Sequence, residues 1–398
     1  MTDFQQTFLD LTKSAISGKR YHLPNEVPHK MITATARRQK MENIIFYGLS
    51  NCGVDTSAEH YNTLNNNVMR NIYVDRKQSF LLNLITDEFT KNEICFCILK
   101  GPRLKRLYPK SDMREMVDID ILIKVEQYDK IKPLLLSLGF TESEESLHEF
   151  IWYYQNLTVE LHKQLIPSNN KDYFAFFGDG WDFVKPKEPG AFEYEMSKED
   201  EFLFMFAHIA KHFRDTGIGI RYFIDLWLYK KAFSLDEAYL EKNLEVLNLL
   251  VFYRNFTYTS AVWFENKKPS AITDFITEYV FNSCVRGTAA NGVLSNGLLA
   301  KKYGGIVSGK KLTFLRLVFP DFRRMTVKYP VLKKVPLLLP FCYVARWFEA
   351  LFLRRDTISA HKKELDLQTD ERIEKYENDL KYMGIEFCFD DVENIKKR

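Results

Sequence analysis

The stretch that decides the fold is ICFCILKGPRLKRLYPKSDMREMVDIDILIKV, residues 94–125, in which a polar segment separates two apolar runs. The second run carries two carboxylates, Asp118 and Asp120, at alternate positions. Alternate residues of a strand share a face, so the two acids point the same way and repel each other. A divalent cation between them would remove that repulsion. An edge strand with a solvated acidic face is the alternative, and this motif alone favours neither interpretation.

The residues around this motif predict a compact mixed sheet. The predicted elements are strands over 94–99 and 116–125, with a short helix over 103–108 between them, a helix over 131–138, and a hairpin with arms 149–154 and 157–165. Short apolar runs are typical of buried strands, and Gly139 ends the helical pattern. The second hairpin arm, LTVELHKQL, places Glu160 and His162 on one face. The order strand, helix, strand, helix, strand, strand is that of a small α/β unit.

The predicted sheet brings a third acid, Glu160, toward Asp118 and Asp120. Three carboxylates that converge from neighbouring strands, after a glycine turn flanked by cations, suit a two-metal phosphoryl-transfer site. Oxygen ligands of this kind favour Mg²⁺ or Mn²⁺ over zinc. The cations that could balance the charge of a triphosphate are Lys100, Arg103 and Arg114.

Several short motifs follow one another along the chain. In the sheet region they are K-G at 100–101, Y-P at 108–109, Arg114, D-I-D at 118–120 and V-E-L-H at 159–162. Further on they are M-S-K-E-D at 196–200, H-I-A-K-H at 208–212, G-I-G-I-R-Y-F-I-D ending at Asp225, F-P at 319–320 and V-P-L-L-L-P at 335–340. In this order the motifs resemble the uncharacterised nucleotidyltransferase family of the DNA polymerase β-like nucleotidyltransferase superfamily. The resemblance covers most of the chain after residue 80.

The resemblance implies an α+β fold, with a small mixed-sheet nucleotidyltransferase core flanked by N-terminal helices and a larger C-terminal helical domain. It implies that Asp118 and Asp120 hold the metals, while Glu160 completes the site and helps to deprotonate an acceptor hydroxyl. The implied reaction moves NMP from an NTP to that hydroxyl and releases pyrophosphate. The superfamily usually has Gly-Ser or Gly-Gly where this chain has Gly101-Pro102, and proline offers a phosphate neither a hydroxyl nor a backbone N–H. Nucleotide placement is therefore expected to depend on Lys100 and Arg114.

Length and composition predict more than one domain. A chain of 398 residues exceeds one small core, and 46% hydrophobic with 27% charged residues is ordinary for a globular protein. Periodicity predicts an N-terminal helical region over 1–90, the nucleotidyltransferase core over 91–185 and a helical domain over 186–398. The net charge of +3 indicates no global field for nucleic acid. The six cysteines form no C-x-x-C pair, which argues against zinc ribbons and thioredoxin chemistry.

Other polar residues are candidates for contacts with the nucleotide or the acceptor. His208 and His212 share a helical face, but HIAKH lacks the glutamate of a zinc protease, so the pair either fixes its helix against the core or faces the cleft. Arg221 and Asp225 are four residues apart, which favours an ion pair, local or between domains, over substrate contact. His162 is either a hydrogen-bonding partner of the acids or a polar residue at the sheet edge.

The C-terminal part contains a basic segment followed by an apolar one. Between 301 and 334 a single acid, Asp321, accompanies ten cations: Lys301, Lys302, Lys310, Lys311, Arg316, Arg323, Arg324, Lys328, Lys333 and Lys334. A solvated face is the default interpretation, and contact with RNA, an anionic glycan precursor or anionic lipid is the alternative. Residues 335–353 contain Arg346 and Glu349, so they predict a buried or interfacial helix and no transmembrane segment. The N-terminus lacks the apolar block of a signal peptide, so a cytoplasmic location is expected, with peripheral membrane contact as an option.

The sequence leaves the acceptor open among a small hydroxylated molecule such as a sugar, an RNA end and a protein side chain. The alternative from another class is a non-catalytic nucleotide-binding or scaffold protein that retains the fold. Retention of all three carboxylates argues against loss of activity, whereas Gly101-Pro102 argues weakly for it. An RNA-binding module is a third hypothesis, and it predicts an affinity that depends steeply on salt.

Overall fold

A computed structural model describes residues 1–24, 26–145, 149–168, 170–285, 287–303, 318–320, 322–333, 335–353 and 369–386. The helices up to residue 177 are α1 Asp3–Ser17, α2 His29–Gln39, α3 Glu42–Asn51, α4 Asn62–Lys91, α5 Lys100–Lys105, α6 Tyr128–Ser137 and α7 Lys171–Phe177. The later helices are α8 Lys198–Asp215, α9 Ile220–Ala232, α10 Glu237–Val246, α11 Leu250–Glu265, α12 Ala271–Asn282, α13 Ala289–Tyr303, α14 Phe322–Lys328, α15 Leu339–Leu353 and α16 Asp370–Met383. The strands are β1 Phe96–Ile98, β2 Asp118–Ile123, β3 Thr141–Glu145, β4 Glu149–Tyr154, β5 Leu157–His162, β6 Val184–Pro186 and β7 Glu193–Met196.

The described strands form one mixed sheet in the order β3-β4-β5-β2-β1-β7-β6. At its centre β2 runs parallel to β5 and antiparallel to β1, and β1 runs parallel to β7. The outer pairs β3/β4, β4/β5 and β6/β7 are antiparallel. A mixed sheet with helices before and after it along the chain confirms the predicted α+β class.

One face of this sheet is the apolar core of the sheet region. On β2 the alternate residues Ile119, Ile121 and Ile123 are completely buried. Val159 and Leu161 on β5 continue the same apolar face. Helices α4 and α6 cover it with buried leucine, isoleucine and phenylalanine side chains, namely Leu81, Leu82, Ile85, Phe89, Ile131 and Leu135. Because strand side chains alternate, the residues between these apolar positions are directed to the opposite face.

The elements that surround the central acids agree in part with the sequence prediction. The hairpin arm β4 begins and ends at the predicted residues, and Gln155 adopts φ +54° in the turn between β4 and β5. The segment after β1 differs, because α5 begins at Lys100 and includes Gly101-Pro102 rather than starting after them. Proline is accepted there because the first turn of a helix leaves its N–H groups without intrahelical partners. Strands β3, β6 and β7 were not predicted.

The chain divides into two compact units. The described residues of 1–211, 218–285 and 383–398 form the first, and those of 212–217 and 286–382 form the second. The first unit contains the whole sheet. The second has its own small core of Met325, Leu332 and Cys342, against which Tyr329 and Tyr343 pack. The three-part division at residues 90 and 185 stays a prediction.

Most of the cationic side chains of the basic segment over 301–334 lie outside the part of the chain that the structure describes. The Lys328 side chain is described, and it forms an ion pair with Glu349 on α15 at 2.6 Å. Within the described ranges, no helix combines the length and the apolarity that crossing a bilayer requires. The prediction of an anionic surface contact is not tested by these observations.

Candidate active site

The register of three strands gathers acidic residues on the sheet face opposite the apolar core. Strands β2 and β5 are parallel, with Asp120 opposite Glu160 and Leu122 opposite His162. Strand β4 is antiparallel to β5 and places Glu149 opposite His162. Residues that lie opposite each other share a face, and so do alternate residues of one strand. This face therefore carries Asp118, Asp120, Glu149, Glu160 and His162.

Three of these side chains converge on one small volume. The Nε2 atom of His162 lies 2.8 Å from Oδ1 of Asp120 and 3.8 Å from Oε2 of Glu160. The side chains of His162 and Asp120 are 5% and 11% exposed, and that of Glu160 is 23% exposed. One donor atom from each residue lies within 4.8 Å of the others, and this is the one such group of possible metal ligands found among the described residues. Their separations allow all three donors to reach one ion.

Burial and mutual repulsion change the acidity of the two carboxyl groups. Burial raises the pKa of Glu160 to about 8, with further contributions from the negative charges of Asp120, Asp118 and Glu149. Burial would also raise the pKa of Asp120, but the Lys100 ammonium and the hydrogen bond with His162 outweigh it and hold that pKa below its usual range. Glu160 thus retains its proton near neutral pH while Asp120 is ionised. A bound cation would relieve the repulsion that contributes to the raised pKa of Glu160.

Lys100 is the first residue of α5, in the tight turn after β1, and its positive charge acts on the acids. Its φ of +27° is unusual for a residue other than glycine, and such strain is often found at functional sites. The preceding residue ties the turn to β2, because the N–H of Leu99 donates to the backbone oxygen of Asp120 at 3.0 Å. The Lys100 ammonium lies 5.3 Å from the ring centre of Phe204. This placement explains why Lys100 acts on the pKa of both Asp120 and Glu160.

Gly101 is explained by close packing. A Cβ at this position would lie 2.7 Å from Sδ of Met116 and 3.6 Å from Nη1 of Arg114. The same Arg114 nitrogen donates to the backbone oxygen of Gly101 at 3.5 Å. A larger residue at this position would force the Met116 side chain to move, whatever the relation of Gly101 to a phosphate.

The two arginines assigned to a triphosphate are both engaged in ion pairs with the helices that follow the sheet. Arg114 donates from Nε and Nη2 to the two carboxylate oxygens of Asp225 on α9, at 2.8 and 3.0 Å. Tyr108 donates to the same carboxylate at 2.7 Å. Arg103 forms a two-bond ion pair with Glu201 on α8. These contacts give both arginines a structural role, and phosphate binding by them stays a prediction.

The remaining candidates lie on α8 and α9. His208 and His212 are half-buried residues of α8, and neither belongs to the three-residue cluster. Arg221 on α9 donates from Nη1 to the backbone oxygen of Glu115 at 2.7 Å. Asp225, four residues further, pairs with Arg114, so the ion pair expected between Arg221 and Asp225 takes a different form. Contact of His208, His212 and Arg221 with the substrate stays a prediction.

The chemistry of the cluster fits a divalent cation. Two carboxylates and an imidazole are common ligands of such ions. Burial and the neighbouring negative charges of Asp120, Asp118 and Glu149 raise the pKa of Glu160, and a bound cation would oppose both effects. Asp118 is two residues before Asp120 and lies on the same face, but it does not belong to the cluster. The negative charge of Asp118 still raises the pKa of Glu160, so Asp118 and Glu160 are electrostatically coupled.

Sequence reasoning missed two features of this site. Glu149 was seen only as the start of a hairpin arm, although pairing the two arms about the turn at 155–156 places it opposite His162. The direct contact between His162 and Asp120 was left open between two interpretations. The parallel register of β2 against β5 decides that contact, and no local pattern in the sequence reports such a register.

Comparison with known families gives the class of this chain. The sequence profile of a family described as uncharacterised nucleotidyltransferase matches residues 25–265. This segment is more than half of the chain and includes the whole sheet, the acidic cluster and helices α2 to α11. The chain belongs to this nucleotidyltransferase family. Searches of curated proteins and of solved structures return no match.

Proposed function

We propose that the protein is a metal-dependent nucleotidyltransferase that moves NMP from an NTP to an acceptor hydroxyl and releases pyrophosphate. Membership of the family supports nucleotidyl transfer in general. The observation that carries the proposal is the convergence of Asp120, Glu160 and His162 within 4.8 Å, on a strand pair that also carries Asp118. A non-catalytic scaffold has no need to hold acids at such a separation.

Each residue of the site has a proposed role. Asp118, Asp120 and Glu160 would hold Mg²⁺ or Mn²⁺, which when bound supplies positive charge to the phosphates and to the attacking oxygen. With the cation bound, Glu160 would be ionised, and its carboxylate would accept the proton of the acceptor hydroxyl as the hydroxyl oxygen forms a bond to the α-phosphorus. The bond from the α-phosphorus to the bridging oxygen of the β-phosphate breaks, and pyrophosphate leaves. Lys100 would bind the triphosphate, with support from other residues at the start of α5.

The cytoplasm, where NTPs are abundant, is the proposed location. The basic segment over 301–334 would contribute by binding an anionic acceptor, or an anionic partner that carries the acceptor. The acceptor class is a small hydroxylated molecule, an RNA or a protein.

The test incubates purified protein with each NTP, labelled at the α-phosphate or the γ-phosphate, together with Mg²⁺ or Mn²⁺ and an extract of its own cells. The Asp118→Ala/Asp120→Ala double variant is the control. Label from the α-phosphate alone, found only with the wild-type protein, is the expected result. Nuclease and protease digestion then assign the acceptor class. Transfer of γ-label would instead indicate a kinase.

The alternative is a protein that binds nucleotide without catalysis. It predicts no labelled product from folded wild-type protein with any NTP, while NTP binding persists. Polyanion binding that weakens steeply with salt and survives Asp118→Ala would instead favour an RNA-binding module.

A further inference from the structure

His162 holds a place in the cluster that an acid would occupy in a site made only of carboxylates. Its ring nitrogen Nε2 faces the carboxylates of both Asp120 and Glu160, at 2.8 and 3.8 Å. An outer-shell partner forms a hydrogen bond to a metal ligand and orients it. His162 instead stands beside both acids and is nearly completely buried. Its position is that of a third corner of the cluster.

The separations of the donor atoms agree with ligands of one ion. Neighbouring ligands that are about 2.0–2.2 Å from a common ion are roughly 2.8–3.6 Å from each other in octahedral or tetrahedral geometry. The two distances from Nε2, 2.8 and 3.8 Å, bracket this range. Small rotations of the side chains would therefore exchange the hydrogen bond between His162 and Asp120 for bonds to a shared cation.

A nitrogen ligand changes which ion the site accepts. Mg²⁺ prefers oxygen ligands and retains its water molecules, whereas first-row transition ions accept imidazole readily. We propose that His162 binds a metal ion directly, together with Asp120 and Glu160, and that the site therefore selects a first-row transition ion such as Mn²⁺ over Mg²⁺. This inference rests on the divalent-metal part of the proposed function, and it does not depend on which acceptor is used.

The experiment is pulsed electron paramagnetic resonance of Mn²⁺ bound to the whole protein, with and without a non-hydrolysable NTP analogue. Wild-type protein should show nuclear modulation from a directly bound ¹⁴N, and protein grown with ¹⁵N-histidine should show the ¹⁵N pattern in its place. The His162→Gln variant should lose the modulation and bind Mn²⁺ at least about tenfold more weakly, with a change of less than about threefold for Mg²⁺. His60→Gln is the matched control, since His60 is exposed and outside the cluster.

Mn²⁺ bound without nitrogen modulation in the wild type would overturn the inference and reduce His162 to a hydrogen-bonding partner of Asp120. Modulation that persists in a folded His162→Gln variant, or no Mn²⁺ binding in either condition, would overturn it as well. The isotope exchange in the wild type decides the question even if the variant fails to fold. Nitrogen coupling without any transfer of α-label would leave this inference intact and remove the proposed function instead.

Discussion

At the scale of single residues, the site depends on how one lysine side chain and several carboxyl groups share a small volume. Lys100 is the basic residue that acts on both Asp120 and Glu160, and without it their repulsion would be greater. The sequence indicated the acids through strand spacing and the lysine through the polar turn after the first apolar run. It did not indicate the cation–aromatic contact with Phe204, because that contact joins residues more than a hundred positions apart.

Lys100→Met should weaken NTP binding by roughly tenfold, because it removes a charge that would contact the triphosphate. It should also raise the pKa of Glu160 further above about 8, since Lys100 lowers it in the wild type. Calorimetry gives the affinity, and carbon NMR of labelled glutamate gives the pKa. Lys231→Met is the matched control, because the Lys231 ammonium also lies over an aromatic ring, that of Trp227, at 4.0 Å. An equal loss of NTP affinity in both variants would contradict a specific role for Lys100.

Gly101→Ala should destabilise the protein by about 1–3 kcal/mol, because the new methyl group overlaps Sδ of Met116. Met116→Ala should remove most of that penalty when the two changes are combined. Chemical denaturation of the two single variants and the double variant measures the coupling between them. Additive effects would show that Gly101 is required for another reason, such as the approach of a phosphate.

At the scale of secondary-structure elements, the strands that carry the acids could be predicted, and the pairing between them could not. β2, β4 and β5 show the apolar and alternating patterns that sequence reasoning detects. β6 has three residues and β7 four, and neither is apolar enough to give such a pattern. The parallel pairing of β2 with β5 joins residues about forty positions apart, so it depends on packing against α4 and α6 rather than on local sequence.

Arg114→Ala should destabilise the protein by about 3–5 kcal/mol, because it leaves the buried carboxylate of Asp225 without its charge partner. The cost should be smaller for the Arg114→Met/Asp225→Leu double variant, which removes both charges. Thermal or denaturant unfolding monitored by circular dichroism supplies both values. A wild-type stability in Arg114→Ala, accompanied by a loss of NTP affinity, would assign Arg114 to the nucleotide instead of to the connection with α9.

Glu115, in the segment before β2, gives a pH dependence that is independent of the metal site. Burial raises its pKa to about 7, with a further contribution from the negative charge of Glu42 on α3. Between its ordinary value of 4.5 and about 7, the folded protein holds a proton that the unfolded chain has released. Rising pH therefore favours unfolding over this window, by up to about 1.4 kcal/mol for each unit of pKa difference.

Glu115→Gln should flatten the dependence of the free energy of unfolding on pH between about 4.5 and 7. Denaturation curves at half-unit steps of pH measure this slope. Glu160→Gln provides a comparison that removes a second raised carboxyl pKa, and the two variants together separate the contributions of Glu115 and Glu160. A slope in Glu115→Gln equal to that of the wild type would mean that Glu115 is ionised in the folded protein throughout.

At the scale of the whole molecule, the family match and the sheet coincide. Residues 25–265 contain the cluster and all the strands that the structure describes, and they lie mostly in the first compact unit. The described residues of the second unit are mainly helical and lie largely beyond the matched region. Composition and periodicity predicted a helical C-terminal part, but a division in which 212–217 joins later residues depends on long-range contacts that no local pattern reports.

The central claim is that the acidic cluster binds a divalent cation together with an NTP. The most direct measurement is the calorimetric affinity of each NTP with and without Mg²⁺ or Mn²⁺, for the wild-type protein and Asp120→Asn, since it needs no acceptor. We predict that the cation raises the wild-type affinity for at least one NTP by tenfold or more, about 1.4 kcal/mol, and that Asp120→Asn abolishes this gain. The same NTP affinity with and without the cation, or an undiminished gain in Asp120→Asn, would contradict the claim.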